Sequence, residues 1–323
     1  MRAFVKITIG VLFMIGLAAC SNKEGDSDKM EEKEETMTEA IPAGDFPKQF
    51  LSGNYERIYN QFSESFKNEV SLEEFIGIGE QFNDGVESYA LISEMSLPEV
   101  VEYQWISEKD KKGIRAYFSE DLTIEGLQVL NITANLESDE VYTKNTYHMP
   151  INEPWFTFWG GTNELINYHY AHEPQRYAYD LLMKEGDSTF EGDSKTNESY
   201  FAFGKDVVAP LEGVVVSVEN GIAENTPGVD TNTDQPAGNH VIIKHDNNEY
   251  SILGHFKKDS VVVKEGQEVK AGELLGLAGN SGNSSEPHIH FHVADSAEWE
   301  NATSLRIKFN VEEPIRGEVV EGF

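Results

Sequence analysis

Three histidines, His288, His290 and His292, occupy alternate positions in Pro287-His288-Ile289-His290-Phe291-His292-Val293. Side chains on a strand alternate between faces, so the three imidazoles point one way and Ile289, Phe291 and Val293 the other. Neutral imidazole is a good zinc ligand, so such a row suits a d-block cation. A solvated surface strand is the plainer reading of a single His-x-His. The loop just before, Gly279-Asn280-Ser281-Gly282-Asn283-Ser284-Ser285, favours the chemical reading. Its glycines let the backbone approach closely and deliver the histidine strand into a groove.

Several further segments fall in a recognisable order. Val207-Val208-Ala209-Pro210-Leu211-Glu212-Gly213-Val214-Val215 is followed by Gly238-Asn239-His240-Val241-Ile242-Ile243-Lys244-His245. Then come Tyr250-Ser251-Ile252-Leu253-Gly254-His255-Phe256 and the glycine-punctuated run Val263–Gly276, which reads as a tight hairpin. Together with the Gly-x-Ser-Gly loop and Pro-His-x-His strand, this series resembles a LytM-type domain of the M23 family of peptidoglycan endopeptidases. The resemblance covers about residues 155–323.

The resemblance implies an all-β antiparallel domain, barrel-like or sandwich-like, and a zinc site made of a His, an Asp and the second His of Pro-His-x-His. The last is His290, and Asp180 in Gln175-Arg176-Tyr177-Ala178-Tyr179-Asp180-Leu181 best matches the Asp. Four residues before Asp180 stands Arg176, which stays protonated and cannot ligate a metal. The first His is therefore His169 or His172. His169 is preferred, because His172 sits in a Glu-Pro turn. Three protein ligands leave a fourth tetrahedral position for water, the pattern of a catalytic zinc. Zinc brings that water's pKa toward ~7. By the same resemblance, His255 and His288 are the catalytic pair, one accepting the water's proton and the other serving the oxyanion or the leaving amine. His292 stands where the family often has Glu; it reads either as a partner that orients a metal ligand or as an exposed side chain, and the second is preferred. His148, His240 and His245 read as structural or surface residues, and Asn239 as support for a turn.

The elements that must carry this site divide the chain. Arg2 and Lys6 precede an uncharged stretch, Ile7–Ala19, too short to span a bilayer comfortably. It ends in Leu17-Ala18-Ala19-Cys20, which resembles a bacterial lipobox. The resemblance implies a lipoprotein signal peptide at 1–19 and a lipid on Cys20, the only cysteine, which anchors the protein to the outer face of the membrane. Residues 20–44 read as an acidic disordered tether, without an aromatic residue. Residues 45–138 read as an α+β domain. Aromatic and aliphatic residues recur at helical spacing from Phe46 to Phe62, Ser71-Leu72-Glu73-Glu74 opens a second helix, and four strands are expected at 88–97, 99–106, 112–120 and 127–136. By element order this unit resembles NTF2-like domains. Residues 139–160 read as a connector and 161–323 as the metallopeptidase domain.

A formal charge of −32, from 25 Lys plus Arg against 57 Asp plus Glu, excludes nucleic acid as a natural partner. A single cysteine excludes a disulfide framework and a cysteine-rich metal site. The expectation is thus an exported, lipid-anchored zinc endopeptidase acting on peptide cross-links of peptidoglycan, with Zn2+ as its cofactor. Its alternative is a wall-binding or scaffold lipoprotein with a degenerate site. A lipoyl-type carrier is disfavoured, since Lys264 and Lys270 do not sit in a modifiable hairpin tip. The oligomeric state, the bond cleaved and the N-terminal domain's function are left open.

Overall fold

A computed structural model describes residues 39–107, 109, 111–133 and 136–323. The expected signal peptide, Cys20 and most of the tether lie outside the described residues. The tether's end does not: Ile41 is buried, its N–H and C=O both bonded to the Gln61 side chain.

Four short helices come first: α1 (Phe46–Leu51), α2 (Tyr55–Asn60), α3 (Glu64–Glu69) and α4 (Leu72–Asn83). The periodicity from Phe46 to Phe62 predicts one helix. The chain breaks it at Ser52-Gly53, where Gly53 adopts φ +76° and a new turn begins. The second start signal forms as a capping box: Ser71 Oγ accepts from the Glu74 N–H, and the Glu74 carboxylate accepts from the Ser71 N–H at 3.0 Å.

An antiparallel sheet follows in the order β1 (Ala90–Leu97), β2 (Val100–Ser107), β3 (Lys112–Ser119), β4 (Ile124–Asn131). The fourth strand starts three residues before its expected place. Asp121 accepts hydrogen bonds from Ser119 Oγ and the Thr123 N–H, and Leu122 takes φ +68°, so the β3–β4 turn closes early. Trp105, Ala116 and Phe118 pack under Phe46, Phe50 and Phe75 of the helices. The opposite face is also covered. Met95 packs with Phe156 and Leu182, and Ile106 and Ile132 with Leu165, all from the second half of the chain.

That second half is antiparallel β structure. Its strands are β5 (Trp155–Trp159), β6 (Tyr179–Leu182), β7 (Asp206–Val208), β8 (Gly213–Glu219), β9 (Asn239–Lys244), β10 (Tyr250–Phe256), β11 (Glu268–Val269), β12 (Leu274–Leu277), β13 (Ile289–Ala294), β14 (Ser304–Leu305) and β15 (Val319–Val320). Nine of them form one sheet, in the order β11-β8-β9-β10-β13-β6-β5-β15 with β14 beside β13; β12 and β7 pair separately. The stretch expected as a connector therefore supplies β5 to the larger sheet. The run Val263–Gly276 does not fold on itself as a hairpin. Its strand β11 pairs with β8 and its strand β12 with β7, because turns at Gly266 and Gly272, both at positive φ, carry the chain around a corner between sheets. One core, from Trp155 and Leu181 through Val241 and Leu253 to Phe291, lies beneath the large sheet. Among the described residues no helix is long and apolar enough to cross a membrane.

Candidate metal centre

Strand β13 lies inside the large sheet, between β10 and β6. His290 is in register with Asp180 on β6 and with Gly254 on β10. Cross-strand partners share a face, so pairing alone sets the Asp180 carboxylate beside the His290 ring, with Oδ1 2.9 Å from Nδ1. His169 arrives from outside the sheet, on a single 3-10 turn (Tyr168–Ala171) whose preceding residue, Asn167, accepts the His169 N–H at its side-chain oxygen. His169 Nε2 stands 3.0 Å from Asp180 Oδ2. One ligand atom each from His169, Asp180 and His290 falls within 4.8 Å of the others, and all three residues are buried. His172, the other candidate, is exposed and outside this cluster.

Burial opposes ionisation of Asp180, yet the neighbouring His169 and His288 and the hydrogen bonds of His169 and His290 hold its pKa well below the usual carboxylate range. The outer ring nitrogens matter equally. His169 Nδ1 lies 3.1 Å from Gln175 Oε1, and His290 Nε2 lies 2.9 Å from His292 Nδ1. Both outer partners can accept an N–H. When they do, each neutral ring presents an unprotonated nitrogen inward, toward a carboxylate. Two lone pairs and a carboxylate then converge in a buried space. That donor set fits a divalent cation bound by nitrogen and oxygen, and zinc in particular.

His255 and His288 complete the ring of imidazoles. Their ring centroids are 4.7 Å apart, and His255 lies 5.8 Å from His290. Each donates its Nδ1–H to a main-chain carbonyl, His255 to Ser281 and His288 to Glu286, both at 2.8 Å. Each Nε2 is thereby left free for chemistry. Burial, then the nearby His288 and His290, push the His255 pKa well below its ordinary value, which favours the neutral ring. Strand alternation alone would not bring His255 here, because Gly254 already occupies the His290 face. A break in register after Leu253 and a left-handed conformation at His255, φ +68°, turn its side chain onto that face.

The expectation of an exposed His292 is overturned. The residue is fully buried, since β13 is flanked on both sides and Trp299 packs against the ring with centroids 6.0 Å apart. Its Nδ1 orients His290, and its Nε2 is buried without a hydrogen-bond partner. Its spacing from His290 was the available signal for this role. Gln175 carried no comparable signal, because its contact with His169 depends on the fold of a loop. Asn239 is buried and ties main chain of Ile222 to that of Phe256. His245 bonds Ser251 and the Glu212 carbonyl, away from the cluster.

Two clefts meet over the cluster, sharing Tyr168 and Asn283. His169, His255, His290, Ile252 and Trp299 line one, and Asp180, His288, Glu286, Phe158 and Trp159 the other.

A peptidoglycan DD-endopeptidase, ShyA, of Vibrio cholerae is 34% identical over 104 residues, which are 31% of this chain and 24% of that protein. A murein hydrolase activator, NlpD, of Salmonella typhimurium is 30% identical over 118 residues, 36% of this chain and 27% of that protein. The chain thus spans about a quarter of the length of these curated relatives. Among solved structures, the catalytic domain of the antimicrobial peptidase lysostaphin from Staphylococcus simulans aligns with 53% of this chain and 95% of that one, at 18% identity and a TM-score of 0.27. Residues 199–302 match the family model of Peptidase family M23.

Proposed function

We propose that this protein is a zinc-dependent endopeptidase that hydrolyses peptide cross-links of peptidoglycan. One observation carries the reading: His169, Asp180 and His290 converge, with two more histidines offering free Nε2 atoms beside them. His169 Nε2, Asp180 and His290 Nδ1 would hold the metal, with Gln175 and His292 fixing the two rings. Zinc in such a site supplies Lewis acidity toward water and the scissile carbonyl. His255 and His288 divide the proton work. One Nε2 takes the proton of the attacking water, and the other steadies the oxyanion or serves the leaving amine. The free Nε2 atoms suit either order. The groove formed by the two clefts orients an extended peptide across the ligands and excludes bulk water from the buried rings.

The murein hydrolase activator among the relatives motivates a second reading, a wall-binding lipoprotein that does not itself cut. The presence of all five polar side chains favours the first. In either case the lipobox-like Leu17-Ala18-Ala19-Cys20 supports export and attachment to the outer face of the membrane through a lipid on Cys20. Purified peptidoglycan digested with the zinc-loaded protein decides between them. Mass spectrometry should find new peptide amino and carboxyl termini. Intact cross-links after prolonged digestion would overturn the endopeptidase reading.

A further inference from the structure

We propose that Asp139 is a positioning residue for the metal loop, its buried carboxylate clasping Tyr170 and Tyr177 on either side of the segment that joins His169 to Asp180. The proposal rests on the zinc reading above. Tyr170 donates its hydroxyl to Asp139 Oδ2 at 2.7 Å, and Tyr177 is 2.8 Å from Oδ1. All three side chains are buried. Tyr170 directly follows His169, and Tyr177 stands three residues before Asp180. Asp139 is itself fixed, since Oδ2 also accepts the Leu136 N–H and its carbonyl accepts from Arg306 Nη1.

The loop needs such a clasp. Between β5 and β6 it holds only two brief 3-10 turns, Tyr168–Ala171 and Glu173–Gln175. Turns this short do not hold a side chain in place by their own hydrogen bonds. Asn167 ties the inner side, donating to the carbonyls of Gly161 and Ala178. Asp139 ties the outer side, from a segment about thirty residues earlier. His169, Asp180 and Asp139 all precede the stretch matched by the family model, 199–302. Two of the three ligands therefore lie outside that matched stretch. Both tyrosines donate to a carboxylate oxygen at short distance, 2.7 and 2.8 Å.

The test is zinc affinity of the whole purified chain, measured by competition with a chromophoric chelator, so no hydrolysis is needed. Asp139→Ala should weaken zinc ~10–100-fold, the usual effect of removing a partner that orients a metal ligand. Asp139→Asn keeps an oxygen acceptor and should recover most of the affinity. The double variant Tyr170→Phe/Tyr177→Phe removes only two hydroxyls and should reproduce the loss, even where Asp139→Ala fails to fold. Lower thermal stability with unchanged zinc affinity in the folded double variant would overturn the proposal, because a merely structural role predicts that. A wild-type chain that takes no zinc would instead sink the zinc reading itself, and the positioning role with it.

Discussion

Two buried carboxylates in this molecule meet opposite fates. Glu102, on the face of β2 turned away from the helices, lies against Arg316, which holds it in two contacts of 2.7 and 3.2 Å. Arg115 Nε stands 3.5 Å away as a second cation, and Gln104 donates a further bond at 2.7 Å. Burial opposes ionisation of Glu102, but Arg316 and then Arg115 outweigh it and keep its pKa low. Asp180 is as deeply buried and is surrounded by imidazoles, none of them permanently charged. The first carboxylate obtains its cations from the chain itself and fastens the two halves of the molecule together. On the zinc reading, the second draws one from solution. A buried acid becomes a fastener or a binding site according to where its counter-charge comes from.

The sharpest way to break this comparison is His290→Ala. Zinc content after dialysis should fall near zero and cleavage with it, while the urea midpoint measured without zinc should move only modestly. A variant that keeps one zinc per chain would contradict the assignment. Next come His255→Ala and His288→Ala. Each should retain zinc yet lose ~10²–10⁴ in cleavage rate, the usual worth of a proton-transferring side chain. Loss of zinc from the His288 variant alone would move that residue into the ligand set.

The fastener should respond in the opposite manner. Arg316→Met strands Glu102 in the interior, and such losses are about 3–5 kcal/mol in unfolding free energy. Zinc affinity per folded molecule should be unchanged. Adding Glu102→Gln to that variant should restore much of the stability in a double-mutant cycle, and a strictly additive result would deny the pairing. The smallest expected effect is in acid. The folded pKa of Glu102 is depressed, so its contribution is intact above the ordinary carboxylate range and disappears as pH falls through the folded value. Between those limits wild type should lose stability faster than Glu102→Gln. Parallel pH curves would remove Glu102 from the account.

The sequence exposed these two regions very unequally. His288, His290 and His292 could be placed on one face because strand alternation is strictly local, and the Ser71–Glu74 box could be seen because it spans four residues. Asp180 and His169 were reached through resemblance. Their meeting depends on which strand pairs with β13 and on how a loop without regular structure is clasped. His292 was expected to be exposed because nothing local announces that Trp299 will cover it. Glu102 and Arg316 are 214 residues apart, so no short-range pattern could join them. The helix break at Ser52-Gly53 and the early turn at Asp121-Leu122 each arise from a single turn, too brief to disturb a periodicity read over a dozen residues.

The left-handed backbone at His255 has an evolutionary consequence. A side chain other than glycine is held there at a cost of order 1 kcal/mol or more, even though histidine, like asparagine and aspartate, enters this region more readily than most. A lineage released from selection on this site would gain stability by drifting to glycine or asparagine at position 255. On the endopeptidase reading an imidazole is kept there for its chemistry, and an engineer seeking a sturdier molecule would find the easiest gain at the residue least free to change.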